Sequence, residues 1–512
     1  MNNKKFWLLT IGLVFAKLLI HLLTNSNYEL HRDEMLYFSM GNHLSWGFAS
    51  TPPLMSFLAF IDIHVFGYHE FAVKFFPALF GASIIVLIAL FVREIGGKGF
   101  AVFTGSFAYI ISTSMLRTSS LFMPVIFELF FWMLFLFFIL KLINRQNPKY
   151  WIGIGISFGL AFLNKYSVLF LGFSTVIALL ISQHRKLLFS KYLIYGALLS
   201  FCIAFPNIIW QVNHRFPVVT HMRELYRTQL IYVPVKVFLS EQILMNFSCI
   251  LIWFSGLLAI LYYKAEKKFR VFAWLYFIII LVFLIAKGKH YYTLGIYPMF
   301  FAFGGYYLEK YLVGKHKIIR NSILVFSLIS ALVFLPLGLP ILPQPKMEKY
   351  CLAFSKYITP IPMRNEDNSY TPIPQDYMDM TGWKELAELA SVACNKLDST
   401  QKKECIFYAN DYGQAGAIDF YGKKYHLPAP VCTSDSYIFW APDSLTASDF
   451  IISDSHLGDI PDLFNNYTEI GEINNIYFRE NGLKIYFCQN PKPLLKEFFI
   501  KRIKENKEVY GY

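Results

Sequence analysis

Charge is scarce in this chain, and acid is scarcer than base. Only 16% of the 512 residues are charged, 47 Lys and Arg against 34 Asp and Glu, for a net charge of +13. The shortage is uneven. Residues 1–345 hold 29 basic side chains and only 11 acidic ones, whereas residues 346–512 hold 18 and 23. Cysteine is sparse too, at seven residues. There is no CxxC, no HExxH and no spacing of zinc ligands, so no metal site is legible. The chain also lacks a P-loop and a GxGxxG entering a helix, so neither a nucleotide nor any other cofactor is indicated. No basic patch coincides with a nucleic-acid motif, which removes nucleic acid as a partner.

What fills the space is hydrophobic: 55% of residues, 18% of them aromatic by composition of the whole chain, with a mean hydropathy of +0.43. This is the composition of a polytopic α-helical membrane protein. Runs long enough to cross about 30 Å of hydrocarbon recur from Phe6 to about Leu342. From Pro343 onward the turn residues are frequent and no spanning run remains. The domains read as 1–342, a membrane domain that includes a first outer loop at 25–69, and 343–512, a soluble extracytoplasmic α/β domain. In the latter, GWKELAELASVACNKL has helical periodicity, and CIFYAN, DFIIS and LKIYFC read as strands. Proximity makes Cys394 with Cys405 the expected bridge among its five cysteines, an odd number that leaves the pairing unfixed by sequence.

Basic clusters fix an expected topology. Those at Lys4-Lys5, Arg93/Lys98, Lys141/Arg145/Lys149, Arg185/Lys186/Lys191, Lys264–Arg270 and Lys310–Arg320 all lie inside if an even number of crossings separates them. Residues 151–182 then make two short crossings broken at Asn164-Lys165-Tyr166. The result is about eleven spans in the plasma (inner) membrane, with a cytoplasmic N-terminus and the C-terminal domain outside. The first segment has no small-residue cleavage site and reads as a retained span.

On that topology the outer face collects the chemistry. Asp33-Glu34 lies in the first loop, ELHRDEMLYFSMGNHLSWGFASTPPL, among Tyr37, His43 and Trp46. A carboxylate pair beside a bilayer costs free energy unless it has a function; the alternative is a helix cap, as Asp33 would supply. Arg117, Lys165, Lys287 and Lys289 put positive charge on a face where the usual bias is against it. A lipid phosphate would account for them, and so would snorkelling to headgroups. Asp411-Tyr412-Gly413-Gln414-Ala415-Gly416 is a polar turn entering a helix, suited to a sugar, an anion, or simple packing.

Several separated motifs resemble the bacterial family 39 glycosyltransferases of the GT-C superfamily, which include protein O-mannosyltransferases and the lipid A aminoarabinose transferase. They are HRDEMLYFSMGNHLSWGFASTPPL, GLAFLNKYSVLFLG, PNIIWQVNHRFPVVTH, GKHYYTLGIYPMFFAFGG and, in the outer domain, IPQDYMDMTGWKEL and YANDYGQAGAIDFYG. The resemblance implies a GT-C fold and transfer of a sugar from a polyprenyl-phosphate carrier to an acceptor hydroxyl of a lipid, glycan or protein. It implies that Asp33 is the general base, with Glu34 in support, and that Lys289 and Tyr291 of the K-x-Y-Y match, with Lys165 and Arg117, meet the donor phosphate. Tyr37, His43, Trp46 and Glu128 are candidate acceptor or sugar contacts. Two departures stand out. Ser50-Thr51 precede Pro52-Pro53 where relatives carry Asp-His, and Leu121-Phe122-Met123-Pro124 lacks the Asp found at the head of that span. Glu128 either replaces it one turn deeper or is a paired structural acid. Two alternatives remain: a lipid-sugar flippase, which internal repeats would favour and this chain does not show, and a transferase using a diphosphate-linked glycan.

Overall fold

A computed structural model describes residues 2–24 and 27–510. The chain folds as two compact units, each built from several segments. The helical unit comprises 1–25, 74–208 and 226–341; the sheet unit comprises 26–73, 209–225 and 342–512. The first outer loop is thus grouped with the C-terminal domain, where the sequence boundary at 342/343 had left it with the spans.

In the helical unit and its flanking helices, six helices are long and apolar enough to cross a membrane: Asn3–Thr24, Glu70–Glu94, Pro124–Arg145, Lys191–Asn213, Lys264–Ile285 and Gly314–Gly338. Two more candidates are helix pairs bent by 69° and 57°, which raises the number to eight at most among the described residues. Helix length therefore does not establish the eleven spans expected. The stretch 151–182 shows why: it forms Tyr150–Phe162 and Val168–Ile181, of 13 and 14 residues. At 1.5 Å per residue each is about 20 Å long, short of the hydrocarbon core. The break between them falls at Asn164-Lys165-Tyr166, as expected. Asn164 fastens it, its side-chain Nδ2 donating to the Pro124 carbonyl at 2.9 Å.

Small residues let these helices touch. A Cβ at Gly304 would stand 2.0 Å from the Ile252 carbonyl oxygen, and one at Gly256 would stand 2.6 Å from the Gly304 nitrogen. Helices Ile250–Tyr262 and Tyr297–Tyr311 therefore meet backbone to backbone, the usual contact where apolar burial gives no driving force between helices. Lys17 is fully buried on the first helix, donating to the Met115 carbonyl at 3.2 Å and lying 4.9 Å from the Tyr109 ring centre.

The sheet unit carries five strands: β1 (Ile406–Ala409), β2 (Pro430–Cys432), β3 (Asp449–Asp454), β4 (Phe464–Glu472) and β5 (Lys484–Pro491), ordered β2-β1-β3-β5-β4. β1 pairs in parallel with both β2 and β3, while β5 and β4 complete an antiparallel edge. The apolar run of β3 is buried on both faces because it is central. Leu495, Phe499 and Ile503, one stripe of the last helix (Pro493–Val509), join Phe450, Ile452 and Cys488 in the core. From β1 the chain crosses through helix Tyr412–Tyr421 to β2 on one side, and β3 then leads to the other side. The loops after β1 and β3 thus lie at a topological switch point, the position at which α/β sheets form a ligand crevice.

Candidate active site

In the sheet unit the acidic pair opens a short helix, Arg32–Ser39, and the cap is His31. Its Nδ1 accepts the Asp33 N–H at 3.1 Å, while Glu34 reaches back to accept the His31 N–H at 2.9 Å. This reciprocal box satisfies two of the four orphan donors of a helix start. It also fixes the His31 proton on Nε2, which faces Asp379 at 3.7 Å. Glu34 is fully buried in that role. Asp33 is left half-exposed, released from capping, and its Oδ1 accepts a hydrogen bond from the Tyr412 hydroxyl at 2.8 Å. Tyr37, one turn on, is half-buried on the same helix face.

The cation next to Asp33 is engaged by other acids. The buried Arg32 guanidinium donates to Asp411, stands 4.0 Å from both Asp379 and Glu480, and lies 4.6 Å from the Tyr412 ring centre. Arg479 closes the network, donating to both Asp379 oxygens at 3.0 and 3.1 Å. Burial opposes the charge on Arg32, and Tyr412, Asp411, Asp379 and Glu480 together outweigh it. Burial likewise pushes the Asp379 and Glu480 carboxyls up. For Tyr412, burial and then the Asp33 carboxylate push the phenol well above its ordinary range, so at neutral pH it is a donor. Among the described residues Asp33 itself forms no ion pair.

The polar turn at Asp411 thus holds a guanidinium, where an anion had been one expectation. The reason is local: the Asp411 carboxylate caps helix Tyr412–Tyr421, accepting the Gly413 N–H at 2.7 Å, and makes the turn negative. Two glycines bring that turn against the helix that carries Asp33. A Cβ at Gly416 would stand 2.8 Å from Met35 Cβ, and one at Gly413 would stand 3.2 Å from Arg32 Cβ. The DYGQAG motif is therefore a docking surface for the first loop. Neither Arg32 nor Tyr412 was singled out from sequence for the site, although both lie within motifs that were.

In the helical unit a second cluster gathers Lys165, Glu128, Tyr291 and Lys289. Lys165 Nζ donates to Glu128 Oε2 at 2.9 Å, and Ser167 donates to Oε1 of the same buried carboxylate. The ammonium stands 4.5 Å from the Tyr292 ring centre and 5.5 Å from that of Tyr291, over which Lys289 also lies at 5.9 Å. Ser167 and Tyr292 are the members sequence reasoning missed; each is within two residues of one it named. Arg117 is half-buried on another helix, Thr113–Ser119. Phe162, three residues before Lys165, lines an apolar cavity of about 480 Å³ together with Phe158, Phe173 and Phe201.

The remaining candidates belong to the sheet unit. His43 stacks on Trp440, ring centres 4.3 Å apart and planes 3° from parallel, and Trp46 is 54% exposed. All seven cysteines are unbridged, including Cys394 and Cys405. No group of three or more metal-ligating side chains occurs among the described residues.

Comparison with known proteins places this geometry. A family model described as dolichyl-phosphate-mannose-protein mannosyltransferase matches residues 50–210. The lipid A galacturonosyltransferase RgtD of Rhizobium johnstonii is 26% identical over 195 residues, 38% of this chain and 41% of that protein, so the chain spans about two fifths of that relative. The fold is similar to that of ArnT from Cupriavidus metallidurans, at a TM-score of 0.64 and 13% identity over 94% of this chain and 98% of the other. ArnT bound to undecaprenyl phosphate gives 0.61 and 12%, covering 95% and 98%. The oligosaccharyltransferase AglB from Archaeoglobus fulgidus, in complex with an inhibitory peptide and a dolichol-phosphate, gives 0.50 and 11%, covering 89% and 70%. These matches bear out the resemblance carried by the motifs: the chain has the fold of the GT-C membrane glycosyltransferases, and residues 50–210 match the family model in sequence.

Proposed function

We propose that this chain is an inverting membrane glycosyltransferase that moves a sugar from a polyprenyl-phosphate carrier to an acceptor hydroxyl on the outer face of the membrane, with Asp33 as the general base. The observation that carries the reading is Asp33 itself: a half-exposed carboxylate without an ion pair, on a capped helix, in a chain of GT-C fold. Asp33 takes the acceptor proton as the acceptor oxygen attacks the anomeric carbon, and the bond from that carbon to the phosphate oxygen breaks. One displacement inverts the centre. The polyprenyl phosphate leaves with the electron pair, and cations stabilise the charge that develops on it. Lys165, Lys289 and Arg117 are assigned that role, with Tyr291 beside the first two. The apolar cavity at Phe162 has a size and lining suited to an isoprenoid chain. The relatives named for mannose and galacturonic acid make a hexose or hexuronic acid the first donors to try.

The test is purified protein in liposomes given polyprenyl monophosphate carrying mannose, galacturonic acid or aminoarabinose, with diphosphate-linked sugars alongside. The reading expects at least one monophosphate donor to be consumed with release of free polyprenyl phosphate. Consumption of diphosphate donors alone would overturn it. Reporters at residues 364–368 and between Lys264 and Arg270 check the orientation; the first should lie outside and the second inside. Mass spectrometry of envelope glycolipids and glycoproteins with and without the protein would name the acceptor.

A further inference from the structure

We infer that Tyr412 is a positioning residue for the base: the C-terminal sheet uses its switch-point crevice, the part of such a fold that usually takes a ligand, to hold and orient Asp33 through the Tyr412 hydroxyl. The inference rests on the assignment of Asp33 as base.

Three observations within one compact unit carry it. The first is location, since Tyr412 is the first residue of the helix that leaves β1 and so stands at the mouth of the crevice. The second is close docking. Gly413 and Gly416 bring the turn against Arg32 and Met35, with no room for a side chain at Gly416, and Arg32 pairs with Asp411. The third is the contact itself, 2.8 Å from the phenol oxygen to Asp33 Oδ1. The bond occupies one carboxylate oxygen and leaves Oδ2 for the acceptor proton.

The charged and titratable groups around Asp33 in this unit are His31, Arg32, Glu34 and Tyr37 on its own segment, Asp411 and Tyr412 after β1, Asp379, and Arg479 with Glu480. Arg32 and Arg479 are each engaged by carboxylates other than Asp33. His31 faces Asp379, and Glu34 is spent on the cap. Among the described residues Tyr412 is the side chain that supplies Asp33 with a hydrogen bond. A donor to a carboxylate favours its ionised form. Removing the donor should raise the pH at which the base becomes competent and loosen its orientation. Charge-assisted bonds of this kind shift such a midpoint by about one pH unit.

Tyr412→Phe keeps the ring under Arg32 and removes only the hydroxyl. With a polyprenyl monophosphate sugar that the wild type consumes, its kcat/KM profile should have the acid limb displaced upward by about one pH unit, with kcat lowered about tenfold and KM little changed. Replacing Tyr412 by 3-fluorotyrosine, a stronger donor of the same shape, should move the limb downward. Size-exclusion and thermal melting confirm that each variant is folded. A lowered rate with an unmoved limb in both variants would mean that Tyr412 only packs, and the inference would fail. Asp33→Asn, run in parallel, separates the two readings: if it stays active the base assignment fails, whereas if it is inactive while both Tyr412 variants keep the wild-type profile, the inference about Tyr412 alone fails.

Discussion

The sheet unit and the helical unit each hold an acid and a base side by side, and they dispose of the charge in opposite ways. Around Asp33 the adjacent cation, Arg32, is surrounded by Asp411, Asp379 and Glu480, and among the described residues the carboxylate accepts its side-chain hydrogen bond from a neutral phenol. Around Lys165 the acid is the buried partner. Glu128 accepts from Lys165 and Ser167, and the ammonium rests on two tyrosine rings. A carboxylate without an ion-pair partner is open to a proton donor other than a cation, which is what the proposed role of general base requires. An ammonium that donates to one carboxylate and rests on aromatic faces still has donors to offer a phosphate. The difference teaches that the extra acids of the sheet unit are there to take up Arg32 and that the single acid of the helical cluster is there to hold Lys165.

The largest expected effect comes from the base. Asp33→Asn keeps the side chain's shape and its acceptor oxygen for Tyr412, so folding should be unchanged and turnover should fall by at least about a hundredfold. Wild-type turnover in that variant would break the comparison at its first term. Next comes Lys165→Met, which strips the cation and leaves Glu128 buried with Ser167 alone. Turnover should fall about tenfold or more, and stability should fall as well, because a buried charge has lost its partner. Pairing it with Glu128→Gln should recover the melting temperature and not the turnover. Recovery of both would make the pair purely structural. Lys289→Ala should lower kcat more than it changes donor affinity, and Lys289→Arg should restore part of it. Lys287→Ala is the contrast two residues away and should cost little; equal losses at both would indicate general attraction to lipid headgroups. The smallest effect on chemistry should come from Gly304→Ala, where the new Cβ would press on the Ile252 carbonyl. It should lower stability by about 1–3 kcal/mol, read by thermal melting, with activity per folded molecule preserved.

The same contrast explains what could be read from sequence. The membrane class, the break at Asn164-Lys165-Tyr166 and strands β1, β3 and β5 were legible, because apolar runs and turn residues act locally. Strand β2 was not, being three residues long and opened by Pro430, nor was β4, whose polar FNNYTEIGE belongs to a sheet edge with one wet face. The span count failed to follow because the helices flanking Lys165 are too short to be judged by length. In the site, Asp33, Lys165 and Glu128 were visible as charges in apolar surroundings, which are costly and therefore conspicuous. Arg32 and Tyr412 were not, since their significance comes from contacts between residues 379 positions apart along the chain. The clue was the glycine pair in DYGQAG, which signals that another backbone comes close.

The measurement that tests the account most directly follows the fate of a doubly labelled donor. A polyprenyl monophosphate sugar, labelled in the sugar and in the phosphate, is given to wild-type protein in sealed liposomes together with an acceptor extract. The account predicts that the labels part company: sugar appears on the acceptor with inverted anomeric configuration, and the phosphate label stays on free polyprenyl phosphate. Recovery of an intact donor, merely moved from one leaflet to the other, would contradict it and identify a lipid-sugar transporter.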